Sequence, residues 1–79
     1  MNPVSREWLK SAHDDLLLIE HILSDEHLSH LVAFHAQQAV EKSLKALLEF
    51  TNQTVPKTHS LNRLFALVNE DIQEIKRIS

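Results

Sequence analysis

From Phe34 to Phe50 the chain reads FHAQQAVEKSLKALLEF. This stretch holds no Gly or Pro and is built mainly from Ala, Gln, Glu, Lys and Leu, all good helix formers. Ala33, Ala36, Val40, Leu47 and Phe50 recur at three- and four-residue steps, with Ser43 in the one polar slot. That spacing draws an apolar stripe down one side of a helix. A second row (Phe34, Gln37, Glu41, Leu44, Leu48) starts polar and ends apolar, and a third carries His35, Gln38, Lys42 and Lys45. The stretch predicts one long helix with a packing face beside a dense polar face.

The flanking segments follow the same grammar. Asn2-Pro3 suits a cap followed by the first helical position. Leu9, Ala12, Leu16, Ile19 and Leu23 then trace a core stripe that Trp8, Leu18 and Ile22 widen. Ser24-Asp25-Glu26-His27 reads as a connection, with Asp25 or Ser29 as a cap for the central helix. Thr51-Asn52-Gln53-Thr54 ends that helix, and Pro56 delays the next. Thr58 or Ser60 caps a short third helix carrying Leu61, Leu64, Phe65 and Val68. Asn69-Glu70-Asp71 is expected to interrupt it. Ile72, Ile75 and Ile78 then open a fourth helix of which about two turns are present.

These elements predict an all-α chain. An antiparallel helical hairpin is closed at one end by a short third helix, followed by the start of a fourth, in an up-down bundle. The whole chain contains no Gly and only two Pro, which fits helices with short connections. Seventy-nine residues allow one domain, 1–79, and a single core is marginal at that size. Apolar surface is left over, so a homodimer that completes a four-helix bundle is expected.

Composition narrows the function. There is no Cys, hence no disulfide and no thiolate metal site. No apolar run approaches the ~20 residues of a membrane span. No secretory leader pattern opens the chain, so the cytoplasm is the expected location. The net charge of −3 argues against a general grip on DNA or RNA backbones. Residues 1–30 set two basic against six acidic residues. The Glu41–Arg63 stretch sets Lys42, Lys45, Lys57 and Arg63 against Glu41 and Glu49, enough positive charge for one phosphate group.

The polar row is therefore the candidate site. Gln38/Lys42, Glu41/Lys45 and Gln37/Glu41 are i, i+4 neighbours. In one reading they form a solvated face of ordinary pairs. In the other, Lys42 and Lys45 offer charge to a phosphate, Gln38 reads a base or ribose edge, and His59 approaches from the start of the third helix. His59 also has a structural reading, as a partner of Glu41. No metal or cofactor is expected: His27 and His30 share a helix face without a converging third ligand, and HDDLLLIEH is not a His-Glu-x-x-His motif. Zero Gly rules out a glycine-rich phosphate loop.

FHAQQAVEKSLKALLEF followed by PKTHSLNRL resembles the HEPN family (higher eukaryotes and prokaryotes nucleotide-binding domain), in the QQAxEKxxKALL core and the later P-x-T-H-x-L. The Trp8–Ala12–Asp15–Leu16 pattern also fits that family's first helix. The resemblance implies a HEPN-like bundle of which this chain is the N-terminal part. It also implies a polar role for Gln38, Glu41, Lys42, Lys45 and His59. Small members resemble partners of minimal nucleotidyltransferases in prokaryotic toxin–antitoxin pairs. The implied function is a non-catalytic module that binds a nucleotide, the nucleotidyltransferase partner, or both. Many members are similar in being metal-independent ribonucleases with an R-x4-6-H motif on a later helix. Only Arg6 and His13 match that spacing, and they lie on the first helix. A ribonuclease toxin and a plain dimerisation unit stand as the alternatives.

Overall fold

The computed structural model describes residues 2–51 and 54–78, without the Ile75 and Ile78 side chains. Asn52 and Gln53 of the expected helix stop, and the Ile75 and Ile78 side chains of the expected last stripe, lie outside the described residues. The elements are α1 (Pro3–Ile22), a short 3-10 turn (Glu26–Leu28), α2 (Ser29–Phe50) and α3 (Leu61–Ile78). The chain is all-α, as its composition and periodicity imply. Among the described residues no helix is long and apolar enough to cross a membrane.

α1 and α2 form the antiparallel hairpin. Asn2 caps α1: its Oδ1 accepts the Ser5 N–H at 2.8 Å, and Pro3 follows it. The Asn2 side-chain amide also donates to the Glu49 carbonyl at 3.0 Å, so one residue tends the start of α1 and the last turn of α2. Ser5 Oγ donates to the Ala46 carbonyl at 3.2 Å, which requires close approach of the two backbones. Small side chains permit it: Ser5, Ala12, Ala39 and Ala46 are all buried. Asp25 caps the connecting 3-10 turn by accepting the His27 N–H, rather than capping α2 itself.

α3 departs from the expectation in two ways. It is one helix of 18 residues, not a short helix and the start of a fourth. Asn69-Glu70-Asp71 holds neither Gly nor Pro, and Asn69 and Glu70 face solvent, so polarity alone gives the helix no reason to stop. The Asp71 carboxylate accepts the Thr51 hydroxyl at 2.8 Å. The second difference is direction. His59 meets Glu41, Leu64 and Val68 pack on Leu44 and Leu48, and Asp71 meets Thr51. Residue numbers rise together on both helices, so α3 runs alongside α2 in the same sense rather than up-down. The loop carries the chain back along α2 first, with Val55 packed on the core. The body is 48 Å long and 25 Å by 24 Å across.

The expected packing faces are also rotated. On α1 the inward row is Ser5, Trp8, Ala12, Asp15, Ile19 and Ile22, while Leu9, Leu16 and Leu23 are exposed. On α2 the buried residues are Ala39, Glu41, Leu44, Lys45, Ala46 and Leu48. Ala33, Ala36, Val40, Leu47 and Phe50, the stripe expected to pack, are exposed instead. Two helices with apolar residues on more than one face have more than one stripe to bury. The choice fell to the rows whose small residues allow close approach.

Candidate functional site

The polar row of α2 is folded into the molecule, where two carboxylates organise it. Asp15, on the inward row of α1, is 8% exposed. Its Oδ2 accepts from Lys42 Nζ at 2.7 Å, and its Oδ1 lies 2.8 Å from His35 Nδ1. Glu41, on α2, is 3% exposed. Its Oε2 accepts from Lys45 Nζ at 3.2 Å, and its Oε1 lies 3.0 Å from His59 Nδ1. Each carboxylate thus holds one lysine and one histidine. The two clusters share α2, where Lys42 and Lys45 stand one turn apart. Lys45 Nζ also sits over the Trp8 ring, 5.2 Å from its centroid, an ammonium against an aromatic face.

The electrostatics follow from this pairing. Burial pushes each carboxyl pKa upward, because it disfavours the ion. For Asp15 the hydrogen bonds and charges of Lys42 and His35 outweigh burial, and the pKa ends below its ordinary value. For Glu41 the His59 and Lys45 bonds do the same. Both groups are therefore ionised at neutral pH. No buried side-chain nitrogen or oxygen among the described residues lacks a partner.

The structure brings Glu41, Lys45 and His59 together, with Lys42 one turn away in the Asp15 cluster. The Glu41/Lys45 pair and the His59–Glu41 bond both form. His59 lies in the loop just before α3, where Ser60 caps the helix by accepting the Arg63 N–H. Gln38, three residues after His35 and three before Glu41, is half-buried and has no hydrogen-bond partner among the described residues. Arg6 and His13 are exposed on α1. Seven residues along a helix separate them by about 10 Å. Among the described residues no group of three or more His, Asp or Glu is placed to hold a metal ion.

Two members of the site, Asp15 and Trp8, stand on α1 and escape a reading by α2 alone. Asp15 carries a usable signal. It is the one carboxylate on the row Ser5, Trp8, Ala12, Asp15, Ile19, Ile22, and an acid on an inward row calls for a base on the facing helix.

Apolar residues gather elsewhere on the surface. Leu16 of α1 with Ala36, Ala39, Val40, Ser43 and Leu44 of α2 lines a shallow hollow of about 370 Å³. Further along, Leu47, Phe50 and Thr51 of α2 with Val68, Asp71 and Ile72 of α3 line a second of about 190 Å³. Leu16, Val40, Leu47, Phe50 and Ile72 are each between 42% and 52% exposed. A band of half-exposed large apolar side chains thus crosses all three helices.

A profile of one protein family, described as the HEPN domain, matches residues 5–79. No curated protein and no solved structure matches the chain.

Proposed function

The chain belongs to the HEPN domain family, and from that premise we propose that it is a non-catalytic binding module, of the toxin–antitoxin type, that works by assembling with other protein. Its partners in this reading are a second copy of itself and a minimal nucleotidyltransferase. The observation that carries the reading is the apolar band across α1, α2 and α3. Large contiguous apolar surface on a small helical unit is characteristic of a face that another protein covers.

The polar side supplies the contact for the nucleotidyltransferase, its nucleotide, or both. Gln38 is half-buried with its amide unpaired among the described residues, and His59 is exposed where it meets Glu41. Lys42 and Lys45 contribute as held charges, since each already answers a carboxylate. This favours a protein or nucleoside edge over a bare phosphate as the group recognised.

The test is an amide NMR titration of the labelled chain with AMP, with ATP, and with a purified minimal nucleotidyltransferase. Perturbations clustered at Gln38, Glu41, Lys42, Lys45 and His59 are expected with at least one of the three. Spectra unchanged by all three at millimolar nucleotide and stoichiometric protein would overturn the proposal.

A further inference from the structure

Six histidines punctuate this chain, and one of them is placed unlike the rest. The His59 side chain is 83% exposed, yet its Nδ1 rests on Glu41, whose side chain is 4% exposed. Nδ1 lies 3.0 Å from Oε1 and 3.2 Å from Oε2 of that carboxylate. An ionised carboxylate only accepts hydrogen bonds. Nδ1 therefore carries the hydrogen, and in the neutral ring the lone pair resides on Nε2. The result is a fixed tautomer with its nucleophilic nitrogen on the exposed part of the ring.

The other histidines lack one half of this arrangement. His35 has a carboxylate on Nδ1, at 2.8 Å from Asp15, but its side chain is only 23% exposed. His21 is exposed, but its Nδ1 meets a neutral acceptor, the Leu17 carbonyl, at 2.8 Å. His13, His27 and His30 are exposed, and none of their ring nitrogens meets a carboxylate of the described residues.

We propose that His59 Nε2 is a covalent acceptor for a phosphoryl group, with Glu41 as its positioning residue. The donor class is a small activated phosphate, either a phosphoramidate or a mixed anhydride. With phosphoramidate the Nε2 lone pair forms the new N–P bond. The old P–N bond breaks, and its electron pair leaves with ammonia, which is protonated by solvent. The ring becomes an N-phosphoryl imidazolium that keeps its Nδ1 hydrogen. Positive charge thus develops on the ring as the bond forms, and Glu41 stands beneath it to stabilise that charge through Nδ1–H. Exposed Lys57 and Arg63 lie two residues before and four after His59, which favours approach of an anionic donor. The product places about two negative charges just before the first turn of α3, where the helix dipole favours them. This inference does not rest on the proposed partner, because the dyad lies within one chain.

The test treats the intact chain with potassium phosphoramidate at pH 7.5 and reads adducts by mass spectrometry and ³¹P NMR. His59 is expected to react at Nε2 on the order of tenfold faster than His13, His21, His27 and His30, the gain of one charge-assisted hydrogen bond. Glu41→Gln is expected to bring His59 down to the rate of the others, with helicity checked by circular dichroism. Should that variant not fold, the wild-type chain unfolded in concentrated urea serves instead, and the advantage of His59 is expected to vanish there. Equal rates at all exposed histidines in the native chain, or an adduct on Nδ1 of His59, would overturn the proposal.

Discussion

Lys42 Nζ lies 2.7 Å from Asp15 Oδ2, across the interface between α2 and α1, and the Asp15 side chain is 10% exposed. A charge held that far from water depends on its partner more than a surface pair does. Lys42→Met is therefore expected to lower stability by about 2–4 kcal/mol, because it leaves Asp15 with His35 alone. The double variant Asp15→Leu/Lys42→Met is expected to recover most of that loss, since no half of this ion pair is then left buried without the other. Urea denaturation of the four proteins of the cycle measures both. A double variant no more stable than Lys42→Met contradicts this account.

The same two carboxylates set the acid limit of the fold. Asp15 and Glu41 have folded pKa values below their ordinary 3.8 and 4.5. The unfolded chain therefore binds protons at these groups before the folded chain does, and stability falls with falling pH. Their contribution is complete above about pH 5.5 and drains away as pH drops through 4.5 and 3.8 toward the lower folded values. Thermal melts by circular dichroism between pH 2.5 and 7 are expected to show this loss. Asp15→Asn and Glu41→Gln should each flatten the curve, and parallel curves for wild type and variants would sink the assignment.

The core that seats α3 is small, formed by Leu44, Leu48, Leu64 and Val68. Leu48 and Leu64 are fully buried. Truncating either to Ala is expected to cost about 2–5 kcal/mol, a large part of what a domain of this size possesses. Hydrogen exchange should localise the loss to α3 before α1, because α3 touches α2 far less extensively than α1 does. Uniform loss of protection in all three helices would argue against separate seating.

Glu70 sits exposed in the middle of α3. In a continuous helix Glu70→Gly costs about 1 kcal/mol and Glu70→Ala is close to neutral. A chain break at Asn69-Glu70-Asp71 would instead tolerate Gly. Chemical denaturation of the two variants decides between a single helix and two.

Leu47 and Val40 lie on the apolar band, half-exposed and outside the α3 core. If that band is where a second copy docks, sedimentation equilibrium at several hundred micromolar finds a dimer. Val40→Asp or Leu47→Lys is then expected to give a monomer with unchanged helicity. A wild-type chain that sediments as a monomer across that range removes the dimer.

Much of this fold is legible in the order of the residues. Asn2-Pro3 starts α1 where a cap and a first-turn proline belong, and α2 is a near-continuous run of helix formers. The pairing of Glu41 with Lys45 follows from their four-residue spacing, and the QQAxEK core with P-x-T-H-x-L marks the family. These are local properties: the φ/ψ preferences of each residue and the 3.6-residue period act within a few turns. The sequence therefore determined an all-α chain, the positions of α1 and α2, and HEPN membership.

Tertiary structure decided which faces meet. Leu9, Leu16 and Leu23 on α1, and Val40, Leu47 and Phe50 on α2, form stripes as apolar as any in the chain, yet they remain exposed. The buried rows carry Ser5, Asp15, Glu41 and Lys45, which look like surface residues when each helix is read alone. Their burial is tolerable only because partners from other elements arrive: Ala46 for Ser5, Lys42 and His35 for Asp15, and His59 for Glu41. The direction of α3 was settled in the same way, by Leu64 and Val68 finding Leu44 and Leu48 and by Asp71 finding Thr51. A helical period records what one helix offers. Packing depends on the sum over two surfaces of close approach, area removed from water and charge satisfied, and no single segment of sequence contains that sum.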